Sequence, residues 1–211
     1  LTYCGVAFSP ASESLWVTES SGDVASMDIR TSSIVRRFPA YGRPLLSPVV
    51  SADGQYLAIR TEEAKSSVTN DWDIVAGVWD VNSEEELFRL PNSFDGTETR
   101  PVEILAFSDD STLLTIQSKF MARWNFRTQQ EVLPRYSQAR HWVTHATELT
   151  QPSQFVVGIL NGSLEKWDAA TNTTQAFSRG DGEAALKMAI SPDRRTLATG
   201  HGHGKINLWH P

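Results

Sequence analysis

The sequence has a single cysteine, which excludes a disulfide bond within the chain. We expect Cys4 to be a small apolar core residue and not a reactive thiol. A lone cysteine does not fix the redox environment. The cellular compartment therefore stays open, with the cytoplasm slightly favoured.

Long apolar runs are also lacking. Hydrophobic residues make up 40% of the 211 positions, a fraction typical of a globular domain with a sizeable core. A charge or a turn residue interrupts each apolar stretch after a few positions, so none approaches the ~20 residues that cross a bilayer. The sequence encodes no transmembrane helix, and we expect no membrane partner.

The chain has no excess of positive charge. Nineteen basic and twenty-five acidic side chains give a formal charge of −6. This sign is wrong for a protein whose whole surface attracts nucleic acid, although a local basic patch is compatible with it. Nucleic acid is therefore not an expected partner.

Motifs that carry catalysis or bind metals are missing as well. There is no G-x-S-x-G elbow, no H-E-x-x-H helix and no phosphate-binding glycine-rich loop. His201 and His203 form a His-x-His pair, but no third ligand is identifiable, and the glycines around them predict a hairpin turn. Asp71 and Asp73 lack the other ligands of a calcium loop. We predict no enzyme, no cofactor and no metal site.

What the sequence does contain is an internal repeat. An apolar run that ends in a small turn recurs at residues 6–10, 49–54, 105–110 and 188–193. Each copy predicts the end of a strand and a tight turn, and a second apolar stretch follows it. A third stretch ends on a large apolar residue followed by a polar one, at Met27-Asp28, Trp79-Asp80, Trp124-Asn125, Trp167-Asp168 and Trp209-His210.

The spacing of the tryptophans identifies the kind of repeat. The intervals between Trp79, Trp124, Trp167 and Trp209 are 45, 43 and 42 positions, close to the about 40–45 residues of a four-stranded propeller blade. A fourth strand-like stretch follows in four of the repeats. A lone four-stranded meander would expose its apolar faces, whereas blades packed around an axis bury them. The pattern predicts an all-β fold.

Several of these segments resemble the WD-repeat consensus. They are Phe8-Ser9-Pro10, Ile190–Asp193, Leu197–Gly200 and Lys205–Trp209. The resemblance implies a β-propeller of about five four-stranded blades, at residues 1–39, 44–91, 101–135, 142–178 and 184–211. Most of the family's polar network is missing from the sequence, so we expect the blades to depend on packing more than on buried hydrogen bonds.

The last blade is expected to lack its outer strand, because only His210 and Pro211 follow Trp209. No residues precede the first strand to supply the missing one. We therefore expect the chain to be a segment of a larger propeller, of about seven blades by analogy with the family. The remaining blades of the parent chain would then be its nearest partners.

The resemblance also implies where partners bind. In the family, the loops from the fourth strand to the next first strand lie on one face with the loops from the second strand to the third. Such loops carry the candidate partner-binding residues Arg43, Arg100, Arg140 and Arg179. Guanidinium groups suit carboxylates and phosphates, so these residues predict an acidic or phosphorylated protein or peptide. The alternative is that they are solvated loop arginines.

Trp72 is a further candidate. It lies in the second repeat, which is about ten residues longer than its siblings, and tryptophan is common at the centres of interfaces. The alternative is that its side chain folds back onto its own blade. Together these features predict a non-catalytic scaffold or sensor module for protein–protein interaction, one that could regulate another domain of a longer polypeptide. The competing hypothesis is part of a propeller-fold hydrolase with a site assembled from axial loops.

Overall fold

The described residues form an all-β structure, as the repeat predicts. The computed structural model describes residues 3–10, 13–46, 48–61, 75–91, 102–108, 111–137, 140–149, 151, 153–179, 182–191 and 193–211. They build five antiparallel sheets and one three-residue 3₁₀ turn. Within this part of the chain, no helix has the length and apolar character needed to cross a membrane.

The chain divides into two compact units. Unit 1 comprises Leu1–Leu113 and Trp124–Gln130, and unit 2 comprises Leu114–Arg123 and Glu131–Pro211. The first sheet has the strand order β1 (Tyr3–Phe8), β2 (Ser14–Glu19), β3 (Asp23–Asp28) and β4 (Ile34–Pro39). The second has the order β5 (Val49–Val50), β6 (Tyr56–Arg60), β7 (Ala76–Asp80) and β8 (Glu85–Arg89). Both sheets belong to unit 1.

The boundary between the units runs through the strands of the third sheet. Its order is β9 (Glu103–Phe107), β10 (Thr112–Gln117), β11 (Phe120–Asn125) and β12 (Gln130–Glu131), and β13 (Tyr136–Ser137) also pairs with β11. The fourth sheet is β14 (Val143–Glu148), β15 (Gln154–Ile159), β16 (Leu164–Asp168) and β17 (Thr173–Ser178). The fifth contains β18 (Ala185–Ile190), β19 (Leu197–His201), the turn η1 (Gly202–Gly204) and β20 (Ile206–Trp209).

The turns between first and second strands explain the recurring serine. Ser51 Oγ accepts a hydrogen bond from the backbone N–H of Tyr56 at 2.9 Å and donates one to Asp53 Oδ1 at 2.6 Å. Ser191 makes the corresponding contacts with Thr196 and Asp193, at 2.9 and 2.6 Å. A serine with an aspartate two positions later thus closes the turn with its own side chains.

The turns between third and fourth strands are built around one polar side chain. Asp80 Oδ1 accepts hydrogen bonds from two backbone N–H groups of the following turn, at 2.7 and 3.0 Å. Asp28, Asn125 and Asp168 cap the turns of the first, third and fourth sheets in the same way. These bonds lower the pKa of Asp28 and Asp168, because they favour the charged carboxylate. In the first four sheets, the polar residue after the large apolar one therefore belongs to the turn.

Aromatic contacts join successive sheets. Phe38 on β4 packs on Trp79 of the next sheet, with ring centroids 5.8 Å apart. The same contact, from an outer strand to the next tryptophan, joins Phe88 to Trp124 and Phe177 to Trp209, at 6.0 and 5.8 Å. Large, well-packed aromatic surfaces contribute much of the stability of such cores. The repeated tryptophans are the residues that stack one sheet on the next.

Polar networks are more developed than the sequence predicts. Trp79 Nε1 donates to Tyr41 Oη at 3.2 Å, and Tyr41 Oη donates to Glu86 at 2.6 Å. In the fifth sheet, Trp209 Nε1 donates to Thr199 Oγ1 at 2.9 Å, and that hydroxyl lies 2.8 Å from His201 Nε2. The sequence assigned His201 to a turn. Its ring is instead buried at the end of β19, while His203 lies in the turn η1.

Two further expectations are wrong in detail. Cys4 is exposed on β1, the edge strand of the first sheet, as are Val6 and Phe8 at alternate positions of this strand. In the third repeat, the fourth strand-like stretch, at residues 130–133, forms a strand of only two residues, and a second short segment, β13, continues the pairing with β11. Pro134 lies between them and cannot donate a backbone hydrogen bond to a ladder.

Candidate partner-binding surface

The connections between strands lie at two opposite ends of each sheet. In an antiparallel meander, successive connections alternate between the ends, so the turns after the second strands share one end with the connectors between sheets. We call this the connector end, and the opposite one the turn end. Within its own unit, each connector that carries Arg43, Arg140 or Arg179 therefore lies at the same end as turns that follow second strands: the turn after β2 in unit 1, and those after β10, β15 and β19 in unit 2.

In unit 1, the connector after β4 is bound to the turn after β2. The backbone N–H of Ala40 donates to Gly22 O at 3.0 Å, and that of Leu45 donates to Glu19 O at 3.4 Å. Gly22 has a φ of +92°, and a Cβ atom built there would lie 2.3 Å from the backbone nitrogen of Arg43. Only glycine tolerates this close approach. The half-buried Arg43 is thus held by backbone contacts at the connector end of unit 1.

An ion pair between a buried carboxylate and an exposed arginine supports this turn. The carboxylate of Glu19 is fully buried and accepts a hydrogen bond from Arg37 at 2.8 Å. Ser21 Oγ donates to the other carboxylate oxygen at 3.4 Å. Loss of Arg37 would leave the buried carboxylate of Glu19 without its compensating charge, which destabilises the turn. Glu19 therefore holds the turn rather than offering its charge to a ligand.

In unit 2, the connector that precedes β14 is fixed on both sides. The backbone N–H of Val143 donates to Ser118 O at 2.8 Å, and the N–H of Leu160 donates to Trp142 O at 2.9 Å. The connector after β17 is bound likewise, through Gly182 N–H to Asn161 O at 3.1 Å. The two connectors carry Arg140 and Arg179, and both arginines are exposed. The structure therefore presents these two predicted residues at the connector end of unit 2.

The buried His201 ties this end to the fifth sheet. Its Nδ1 lies 2.9 Å from the carbonyl oxygen of Glu183, in the connector after β17, and its Nε2 contacts Thr199. A hydrogen-bonded chain thus runs from Trp209 through the interior to the connector.

Sequence reasoning missed two apolar residues at the same end. Trp142 is 37% exposed and Leu160 is 41% exposed, and the hydrogen bond between their backbones makes them neighbours. Trp142 follows Arg140 by two positions, which was a signal available in the sequence. Leu160 occupies the turn position that Ser20 holds after β2, and a comparison of the turns would have identified it. Both residues therefore place part of a large apolar side chain in contact with solvent.

Two other predicted residues cannot be placed. Trp72 and Arg100 lie outside the described residues. Arg43 belongs to unit 1 and the pair Arg140 and Arg179 to unit 2. A common binding surface for the four candidate arginines remains a prediction, and the part of it that can be described is the connector end of unit 2.

The charged residues described at this end include the exposed Arg140 and Arg179, and the half-buried Glu183 lies on the same connector as Arg179. Lys119 lies in the turn after β10, next to the connector of Arg140. His145 on β14 has no hydrogen-bond partner for its buried Nδ1 among the described residues. Burial, reinforced by the positive charge of Lys187, lowers the pKa of His145 to about 4. His145 is therefore neutral near pH 7, and the positive charge comes from the lysine and the arginines.

A shallow polar cleft is the other candidate site. It has a volume of about 210 Å³ and is lined by Gln154, Lys166, Trp167, Asp168, Thr173 and Gln175. It contains a single carboxylate, Asp168, which is already engaged by its turn and by Gln154 Nε2 at 3.3 Å. Glycoside hydrolysis and similar acid–base chemistry need a pair of such groups. Among the described residues, no three His, Cys, Asp or Glu side chains are placed to share a metal ion.

Comparison with known structures identifies the fold. Over 100% of its length the chain superposes on the WD40 repeats of RRP9, with a TM-score of 0.75 and 16% identity. It superposes equally on U3-55K, with a TM-score of 0.73, 16% identity and 100% coverage. The fold is a WD40-type β-propeller. The propeller domain of Cps50 (Swd1) from Myceliophteria thermophila gives a TM-score of 0.73 at 14% identity over 99% of the chain.

This WD40-type chain spans 66%, 60% and 61% of the Cps50, RRP9 and U3-55K chains, respectively. It therefore corresponds to part of a propeller of their size. No protein-family profile matches its sequence, and no curated protein sequence matches it significantly. The three-dimensional likeness thus persists where sequence similarity has been lost, which is expected when a fold is kept by packing and turn geometry.

Proposed function

We propose that this protein is a non-catalytic interaction module that binds an acidic or phosphorylated segment of a partner protein through the connector ends of its sheets. The supporting observation is the pair of exposed arginines, Arg140 and Arg179, on two connectors of the same unit. A WD40-type propeller is a fold that interaction scaffolds use, and its specificity depends on the residues that its loops carry.

Arginine suits this role because its guanidinium group donates several hydrogen bonds in a fixed plane. Carboxylates and phosphates accept two of these bonds at once. The formal charge of the whole chain is −6, so a basic surface on it would be local. Such a surface favours an anionic ligand at this end, whereas the negative charge of the rest of the protein repels the ligand elsewhere.

The proposal is tested by binding of a peptide library to the full-length protein. The library contains acidic, phosphorylated and neutral versions of the same segments, and affinities are read by fluorescence anisotropy. Two charge-assisted contacts are worth enough that the R140A/R179A variant should weaken the selected anionic peptides by about tenfold or more. Arg43→Ala tests the corresponding end of unit 1.

The matched control is Arg195→Ala. Arg195 is also exposed in unit 2, but it lies at the turn end, between β18 and β19. Its loss should leave the affinities unchanged. Wild-type affinity in R140A/R179A would refute the assignment of these two arginines.

A further inference from the structure

We infer that the connector end of unit 2 recognises an acidic protein segment that also carries a large apolar side chain, with Trp142 and Leu160 as the apolar anchor. The inference rests on the proposed function, since it requires an anionic partner segment. It adds what the arginines alone do not specify, namely a second chemical feature of that segment.

The first argument is exposure. Trp142 and Leu160 leave 37% and 41% of their surfaces in contact with water. Scattered exposed aliphatic residues are common, but here two large apolar residues are both partly exposed and are joined by a backbone hydrogen bond. Tryptophan is enriched among the residues that dominate interface energies, and it serves best when apolar neighbours exclude water from it. A large apolar side chain of a partner would provide that cover.

The second argument is rigidity. The backbone of the connector is hydrogen bonded to one turn through Val143 and to another through Trp142. The second turn is itself closed, because Gly162 N–H donates to Ile159 O at 2.9 Å and Ser163 donates twice to Asn161 Oδ1. Both anchor residues therefore sit on a backbone that is ordered before any partner binds. Less conformational freedom is lost on binding to such a surface.

The third argument is charge. Arg140 is two residues from Trp142, and Arg179 lies on the connector that is bound to Asn161, next to Leu160. Each of the two connectors next to the apolar pair thus carries one exposed arginine, and Glu183, on the second connector, is half-buried. Apolar contacts at the centre with charged groups around them are the usual arrangement of a specific interface. The partner that fits is a segment in which acidic residues flank a leucine or an aromatic residue.

The experiment compares two synthetic peptides on the full-length protein. One alternates acidic residues around a central tryptophan or leucine, and the other replaces that residue with alanine. We expect the first to bind at least about tenfold more tightly, and Leu160→Ser to remove this difference. Serine is the residue that unit 1 carries at the equivalent turn position, so the turn should tolerate it. Trp142→Phe should retain most of the difference, because an apolar ring remains.

The control variant is Leu133→Ser, which alters an even more exposed leucine between β12 and β13. It should change neither affinity, and circular dichroism should show that both serine variants are folded. If L160S binds the two peptides as the wild type does, the apolar anchor is wrong, whereas loss of both affinities in R140A/R179A would still support the proposed function. If neither acidic peptide binds the wild type and an oligonucleotide does, both proposals fail.

Discussion

At the residue scale, tyrosine side chains replace part of the polar network that the sequence lacks. Tyr41 packs edge-on against Trp79, with ring centroids 5.4 Å apart, while its hydroxyl bridges that indole to Glu86. Tyr136 is placed similarly against Trp167, at 5.9 Å, and donates to Glu165 at 2.7 Å. Burial and the bond to Glu86 raise the pKa of Tyr41, so its hydroxyl stays protonated and able to donate.

His145 gives a testable consequence for the pH dependence of stability. Its pKa in the folded protein is about 4, below the ordinary value of 6.5. The unfolded chain therefore binds more protons between these pH values, and the free energy of unfolding falls as pH drops from 6.5 towards 4. The stabilisation that neutral His145 provides is fully present above pH 6.5. The free energy of unfolding falls by roughly 2–3 kcal/mol between pH 6.5 and pH 4.

The measurement is urea unfolding at half-unit steps from pH 4.5 to 7.5. His145→Gln should flatten this part of the stability profile whatever its effect on stability at pH 7. His203→Gln is the control, because His203 is exposed in the turn η1 and its replacement should keep the slope. An unchanged slope in H145Q would contradict the assignment.

At the element scale, the sequence predicted the strands and turns that recur in every repeat, but it did not predict the contacts between residues of different repeats. The turns between third and fourth strands were predictable because a polar residue follows a large apolar one in each copy, as at Asp80 and Asp168. The tyrosine contacts were not, because Tyr41 and Trp79 are 38 positions apart and belong to different repeats. The exposure of Trp142 was only weakly encoded, since the nearness of Arg140, two positions earlier, is the one local feature that distinguishes it from a buried tryptophan. The tyrosine contacts and the exposure of Trp142 both depend on packing between residues that are distant in the sequence.

The same turns provide a prediction with an internal control. Asp80→Ala removes the acceptor of two backbone hydrogen bonds, and we expect a loss of about 1–2 kcal/mol in the free energy of unfolding. Asp80→Asn keeps an acceptor, and Asn125 already fills this role in the third sheet. The asparagine variant should therefore remain within about 0.5 kcal/mol of the wild type in urea unfolding. If both variants lost the same free energy of unfolding, the negative charge of Asp80 would stabilise the turn and its role as a hydrogen-bond acceptor would not.

At the scale of the whole molecule, the question is whether net charge or local placement governs binding. The chain carries a formal charge of −6, so bulk electrostatics oppose an acidic partner. The connector end of unit 2 presents exposed arginines against that background. Screening acts over about 10 Å at 0.1 M salt. Binding controlled by this surface should thus weaken as salt rises, although the protein is acidic overall.

Two double variants with the same total charge separate these explanations. R140E/R179E reverses both charges at the connector end, and R30E/R195E reverses two exposed arginines at the turn end, so each lowers the formal charge by four from −6. If local charge at the connector end governs binding, the first variant should weaken the binding of an acidic peptide by more than about tenfold. The second should change its affinity by less than about twofold, because those sites lie at the opposite ends of their strands. Anisotropy titrations at 50 and 200 mM salt provide the measurement. Equal weakening in the two variants would show that overall charge controls association and that the connector end is not the binding surface.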